Sequence, residues 1–89
     1  MYDVDFTGPA EDALRRLDKP RSQRVLEKIK WLATNLPDVA PEALAGEWRD
    51  FYKLRVGDYR VIYTVDEPAR RIVIHLVGHR RDVYRHPRG

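Results

Sequence analysis

The sequence has no cysteine among its 89 residues, which excludes disulfide staples and thiolate chemistry. It has no apolar run approaching the roughly 18 residues that a membrane-spanning helix needs. The opening residues, Met1-Tyr2-Asp3-Val4-Asp5, lack the basic and apolar regions of a signal peptide. A soluble cytoplasmic protein without a membrane partner is therefore expected. No group of His, Asp and Glu has metal-ligand spacing, and no glycine-rich phosphate loop is present, so neither a metal nor a cofactor is expected. Internal repeats and low-complexity tracts are also missing.

What remains is the composition of a small globular chain. Hydrophobic residues make up 43% and charged residues 35%, too apolar for disorder. The length favours one domain over residues 1–89, with a thin core. The net charge of +3 is unevenly placed. Residues 1–45 carry seven Lys/Arg against eight Asp/Glu, and residues 46–89 carry ten against six, so the halves stand at −1 and +4. Nine of those ten later cations are arginine, whose planar fork suits phosphate. The basic half is either a solvated face or a seat for a polyanion, with RNA the first choice.

The pattern predicts an α+β fold in the order β-α-α-β-β-β. A short strand, Tyr2 to Phe6, alternates apolar and acidic residues. Thr7 can cap a first helix with Pro9 in its opening turn, and Ala10, Leu14 and Leu17 mark its buried side. Asp18-Lys19-Pro20 starts a second helix, whose stripe is Val25, Ile29, Leu32 and Leu36. Asn35 and Pro37 end it. Residues 37–45 read as a loop with at most one short turn around Pro41 to Leu44.

The second half reads as a three-stranded antiparallel meander on which the helical hairpin packs. Its strands are Trp48 to Val56, Tyr59 to Val65, and Arg71 to Val77. Gly78 is expected to stop the last, leaving a polar tail from His79 to Gly89. Gly57-Asp58 is a two-residue hairpin turn with Gly where a type II′ turn prefers it. That turn sets Val56 against Tyr59, Arg55 against Arg60, Leu54 against Val61 and Lys53 against Ile62. One face then carries Tyr52, Leu54, Val56, Tyr59, Val61, Tyr63 and Val65, where the helices should pack. The other carries Lys53, Arg55, Arg60, Ile62 and Thr64.

Three cations thus share a face, and two are directly opposed, which is destabilising by a few tenths of a kcal/mol or more. The side chains either splay into water or are relieved by a bound phosphate. Arg80 and Arg81 follow the last strand and could close one end of this face. Tyr84 can stack on a base or pack on the fold. Cleavage of RNA by its own 2′-hydroxyl needs a proton acceptor, positive charge on the phosphorane and a proton donor for the leaving 5′-oxygen. Arginine supplies charge but is no base. Lys53 is the lysine on the face, beside like charges that favour its neutral form as an acceptor. His79 is the other group of the right chemistry, or else a solvent-exposed turn histidine. His75, mid-strand on the outer face, is given no role.

Three stretches carry a resemblance. Leu44-Ala45-Gly46, then Tyr52 to Tyr63 (YKLRVGDYRVIY), then Val77 to Tyr84 (VGHRRDVY), resemble the RelE/ParE superfamily of bacterial and archaeal type II toxins. The preceding strand and helical hairpin fit too, so nearly the whole chain is covered. The resemblance implies one of two activities, since RelE-like members cleave mRNA in the ribosomal A site and ParE-like members inhibit DNA gyrase. The residues favour the first. Lys53 matches the first of two hairpin lysines of RelE-type toxins, and Arg55 stands where the second would be. Arg60 corresponds to the transition-state arginine. Arg80 corresponds to the arginine implicated as proton donor or phosphate ligand, with Arg81 able to share that role and His79 beside it for substrate binding. Tyr84 corresponds to the tyrosine that stacks on or orients the base, at a shorter spacing from Arg80 than in the best-known RelE. The resemblance also implies a cognate antitoxin in a hetero-oligomer, with ribosome and mRNA as targets. The other readings are a gyrase inhibitor and a non-catalytic antitoxin- or RNA-binding module.

Overall fold

The computed structural model describes residues 1–85. The elements are β1 (Asp3–Phe6), α1 (Gly8–Arg16), α2 (Lys19–Asn35), β2 (Glu42–Ala43), β3 (Tyr52–Val56), β4 (Tyr59–Asp66) and β5 (Arg71–His79), with 3-10 turns at Gly46–Trp48 and Val83–Arg85. Both helices start where their caps predict. The Thr7 hydroxyl accepts from the Ala10 amide at 3.3 Å, and the Asp18 carboxylate accepts from the Arg21 amide at 2.9 Å. Each helix has proline in its first turn. Among the described residues no helix is long and apolar enough to cross a membrane.

The sheet is five-stranded in the order β1-β5-β4-β3-β2. It is mixed: β3, β4 and β5 form the expected antiparallel meander, and β1 adds a parallel strand for which the sequence pattern specified no partner. β1 runs parallel to β5, with Val4 beside Ile72 and Phe6 beside Ile74. Alternation in residues 2–6 specifies a strand but not its neighbour. The long connection through both helices and the meander returns the chain parallel to its start, as a crossover must. β5 therefore lies between β1 and β4 and is buried accordingly: Ile72 and Ile74 are fully enclosed, each contributing about 1.5–3 kcal/mol.

Two strand ends also differ from expectation. β3 begins at Tyr52 rather than Trp48, because Gly46 takes a positive φ of 64° and turns the chain into a 3-10 turn. β5 does not stop at Gly78 but runs through it to His79, with Gly78 paired to Arg60. A Cβ on Gly78 would meet Val83 at 3.4 Å, so the glycine admits the C-terminal turn rather than ending the strand. The last four residues of the expected polar tail lie outside the described residues.

The main core lies between the sheet and the helices. Val25, Ile29, Leu32 and Leu36 of the second helical stripe meet Leu54, Val61, Tyr63, Ile72, Ile74 and Val77. Burial pushes the Tyr63 phenol up to about 12, so it stays neutral. Ile62 and Val83 are also fully buried, yet neither belongs to this core. They lie on the outer side, where the turn after β5 covers part of the sheet.

Candidate nucleic-acid interface

The β3–β4 hairpin has the register its turn dictates. Lys53 pairs with Ile62, Leu54 with Val61, Arg55 with Arg60 and Val56 with Tyr59. Gly57 has a positive φ of 61° and Asp58 does not, as a type II′ turn requires. Arg55 and Arg60 therefore leave the same side of adjacent strands.

Their guanidinium groups are treated differently. Arg55 is exposed and has no ion-pair or hydrogen-bond partner among the described residues. Arg60 is half-buried and folds over the turn, with Nη1 donating to the carbonyls of Gly57 and Tyr59, each at 2.9 Å. Those carbonyls aim the side chain without cancelling its charge. Arg80 reaches the same turn. Its amide donates to the Asp58 carbonyl at 2.8 Å, and its Nε lies 3.9 Å from Asp58 Oδ1. The chain after β5 is thus tied to the hairpin tip, which brings Arg80 to the turn that holds Arg60.

Lys53 is less available than the sequence suggests. Its Nζ lies 3.1 Å from Glu42 Oε2, and its side chain is only 24% exposed. Glu42 belongs to β2, the two-residue strand that pairs with β3 across residues expected to be loop. Nothing in the pattern of so short a strand distinguishes it from an extended loop, so this carboxylate was not anticipated on the cationic face.

Two predicted residues sit elsewhere. His79 pairs with Tyr59, and their rings meet edge to face at 5.6 Å. Tyr59 belongs to the helix-facing side, so His79 is on the opposite side of the sheet from Arg55 and Arg60. Its Nδ1 accepts the Arg81 amide at 3.2 Å. The Arg81 side chain is exposed at the mouth of this turn.

Tyr84 is 38% exposed, and its ring stands edge-on to Trp48 at 6.3 Å. It both packs and presents a ring to solvent. Trp48 in turn meets Phe51 at 5.4 Å, and Phe51 meets His75 at 5.0 Å. His75 Nε2 lies 2.9 Å from the Thr64 hydroxyl. Phe51 continues the hairpin register one step past the Tyr52–Tyr63 pair, on the side of Lys53. An aromatic row thus borders the cationic face, and sequence reasoning missed it. The spacing of Trp48 and Phe51 is uninformative for a strand, and His75 was set aside. Burial holds the His75 imidazole below its usual range, so it is neutral here.

Chemically, this surface offers fixed positive charge from Arg60, Arg55 and Arg80, an ammonium with a carboxylate counter-charge, and rings beside them. Among the described residues no group of three His, Cys, Asp or Glu side chains could hold a metal ion.

The chain resembles known proteins over most of its length. The family model described as the ParE toxin of the type II toxin-antitoxin system, parDE, matches residues 4–84. Toxin RelG of Mycobacterium tuberculosis is 31% identical over 84 residues, covering 94% of this chain and 97% of its own. Toxin RelE of the same organism is 29% identical, covering 94% and 87%. The structure of a toxin-antitoxin complex from Mycobacterium tuberculosis superposes with a TM-score of 0.79 at 30% identity, covering 91% of this chain and 93% of that one.

Proposed function

The chain belongs to the ParE toxin family of type II toxin-antitoxin systems, and from that premise we propose that it is a ribosome-dependent mRNA endonuclease. The observation that carries this reading is the placement of Arg60. It is held by two turn carbonyls, directly across from Arg55, which has no partner among the described residues, with Arg80 tied to the same turn. A guanidinium held as Arg60 is suits the developing charge of a phosphorane, because it needs no reorganisation when the charge appears.

In this mechanism the 2′-oxygen of the A-site nucleotide loses its proton to solvent and attacks the adjacent 3′-phosphorus. The bond from phosphorus to the 5′-oxygen breaks, leaving a 2′,3′-cyclic phosphate and a 5′-oxygen that takes a proton from solvent. Arg60 and Arg55 bind the non-bridging oxygens. Arg80 is a phosphate ligand, since a guanidinium stays protonated. Lys53 meets the 2′-hydroxyl, and Tyr84 stacks on the base. The ribosome places the codon, which lets few side chains suffice. The protein acts as one domain over residues 1–89, in the cytoplasm with ribosomes and mRNA. A cognate antitoxin holds it in a hetero-oligomer, as in the similar Mycobacterium tuberculosis complex.

The test is a cleavage assay on translating ribosomes. Cuts are expected within A-site codons, and Arg60→Ala should lower the cleavage rate about 10²- to 10³-fold, as losing a transition-state donor does. Intact mRNA at inhibitory toxin levels overturns the reading.

A second reading is favoured by two observations: the matching family model is that of ParE, and Arg55 stands where RelE-type toxins carry a second lysine. The protein would then inhibit DNA gyrase. Inhibited supercoiling by purified gyrase, with mRNA left intact, selects it.

A further inference from the structure

On the helix side of the β3–β4 turn lies a cavity of about 330 Å³. Its walls include Arg21 and Arg24 from the first turns of α2, the turn residues Asp58 and Tyr59, and His79 from the end of β5. The volume sits at the lower end of the roughly 300–1,000 Å³ range of ligand sites. None of its charged side chains is needed by the core.

The charges around it do not cancel. Asp18 takes the guanidinium of Arg21, and its carboxyl is held below the usual range chiefly by the Arg21 amide, with Arg24 a minor influence. Asp58 faces Arg80 Nε at 3.9 Å. Arg24 has no ion-pair or hydrogen-bond partner among the described residues. His79 adds a ring donor. Its Nδ1 accepts the Arg81 amide, so in the neutral ring the proton is on Nε2. The cavity therefore presents an unpaired guanidinium, a shared one and an imidazole N–H, a donor set for an oxyanion.

Its position gives the oxyanion a source. The wall of the cavity is the two-residue turn whose other side carries Arg60, which donates to the Gly57 and Tyr59 carbonyls. A strand of RNA that sets one phosphate on Arg60 can pass the hairpin tip and set a neighbouring phosphate in the cavity. We propose that this cavity is a second phosphate site for the RNA backbone, built from Arg24, Arg21 and His79 and separated from the cleavage face only by the hairpin turn. This rests on RNA being the substrate.

The experiment is a titration of the full chain with a short 2′-O-methyl RNA, which binds but cannot attack itself, followed by the NMR signals of the histidine rings. The His79 ring should shift saturably, and Arg24→Gln should weaken that response about tenfold, the effect of losing one charge-assisted hydrogen bond. If RNA binds in an Arg60-dependent way while His79 stays unmoved and Arg24→Gln binds as wild type, the second site is overturned and the endonuclease reading stands. If no RNA binds, the second site is overturned, while the endonuclease reading is decided by the cleavage assay on translating ribosomes. A His79 shift saturated as tightly by inorganic phosphate makes the cavity a free-phosphate site and overturns the RNA assignment. A response to an acidic peptide alone overturns it in favour of a protein partner.

Discussion

Arg55 of β3 stands directly across the hairpin from Arg60 of β4, two arginines in a position where sheets favour opposite charges. Arg60 is anchored to the turn, and Arg55 has no partner among the described residues. A fold optimised only for stability would not keep this pair. Replacing Arg55 with threonine should therefore raise stability by a few tenths of a kcal/mol while weakening RNA binding. The slope of log K against log salt should fall by about 0.7, one phosphate contact. Urea unfolding and fluorescence anisotropy read the two effects. A variant that is both less stable and unchanged in RNA affinity removes Arg55 from the site.

The ion pair of Lys53 with Glu42 places a negative charge on the same face. Glu42→Gln should tighten RNA binding several-fold, because one repulsive charge is gone. Its effect on stability should stay within about 1 kcal/mol, as for a partly exposed pair. Unchanged affinity at low salt would show that the carboxylate is too far from the bound backbone to matter.

Ile62 lies among the cations in register but is fully buried. Ile62→Ala should cost about 2–5 kcal/mol, the usual range for a large-to-small core change. Arg55→Ala, one strand away on the same face, should cost almost nothing. Equal unfolding midpoints for these two variants would mean that Ile62 does not contribute as a buried side chain.

His75 is desolvated, and its imidazole is held below the ordinary 6.5. The unfolded chain then takes up this proton first as pH falls. Stability is fully present above about 6.5 and declines as pH drops toward the folded-state value. Asp18, also depressed, acts only in the lower carboxylate range. Urea midpoints at pH 7.5 and 5.5 should therefore separate for the wild type and converge for His75→Gln. Parallel losses in both proteins would assign the decline to other groups.

Much of the cationic face was legible from the chain alone. A two-residue turn at Gly57-Asp58 allows one register, and register decides which side chains share a side. That local rule put Arg55 opposite Arg60, with Lys53 on their side, and left an apolar face for the helices. Both helices were equally legible, because their caps and stripes are short-range patterns. The parallel partner of β1, the β2 strand that brings Glu42 to Lys53, and the passage of β5 through Gly78 were settled only in three dimensions. Each depends on contact between segments far apart in sequence, which no local pattern encodes. The same reason moved His79 to the far side of the sheet. As the residue after Gly78 it read as part of a tail, and only its pairing with Tyr59 decided which side it faces. The sequence by itself determined a β-hairpin with arginines on one side. The tertiary structure decided that Arg60 and Arg80 are both bonded to its turn and that Lys53 is already paired, because the return of the chain end to that turn is a long-range event.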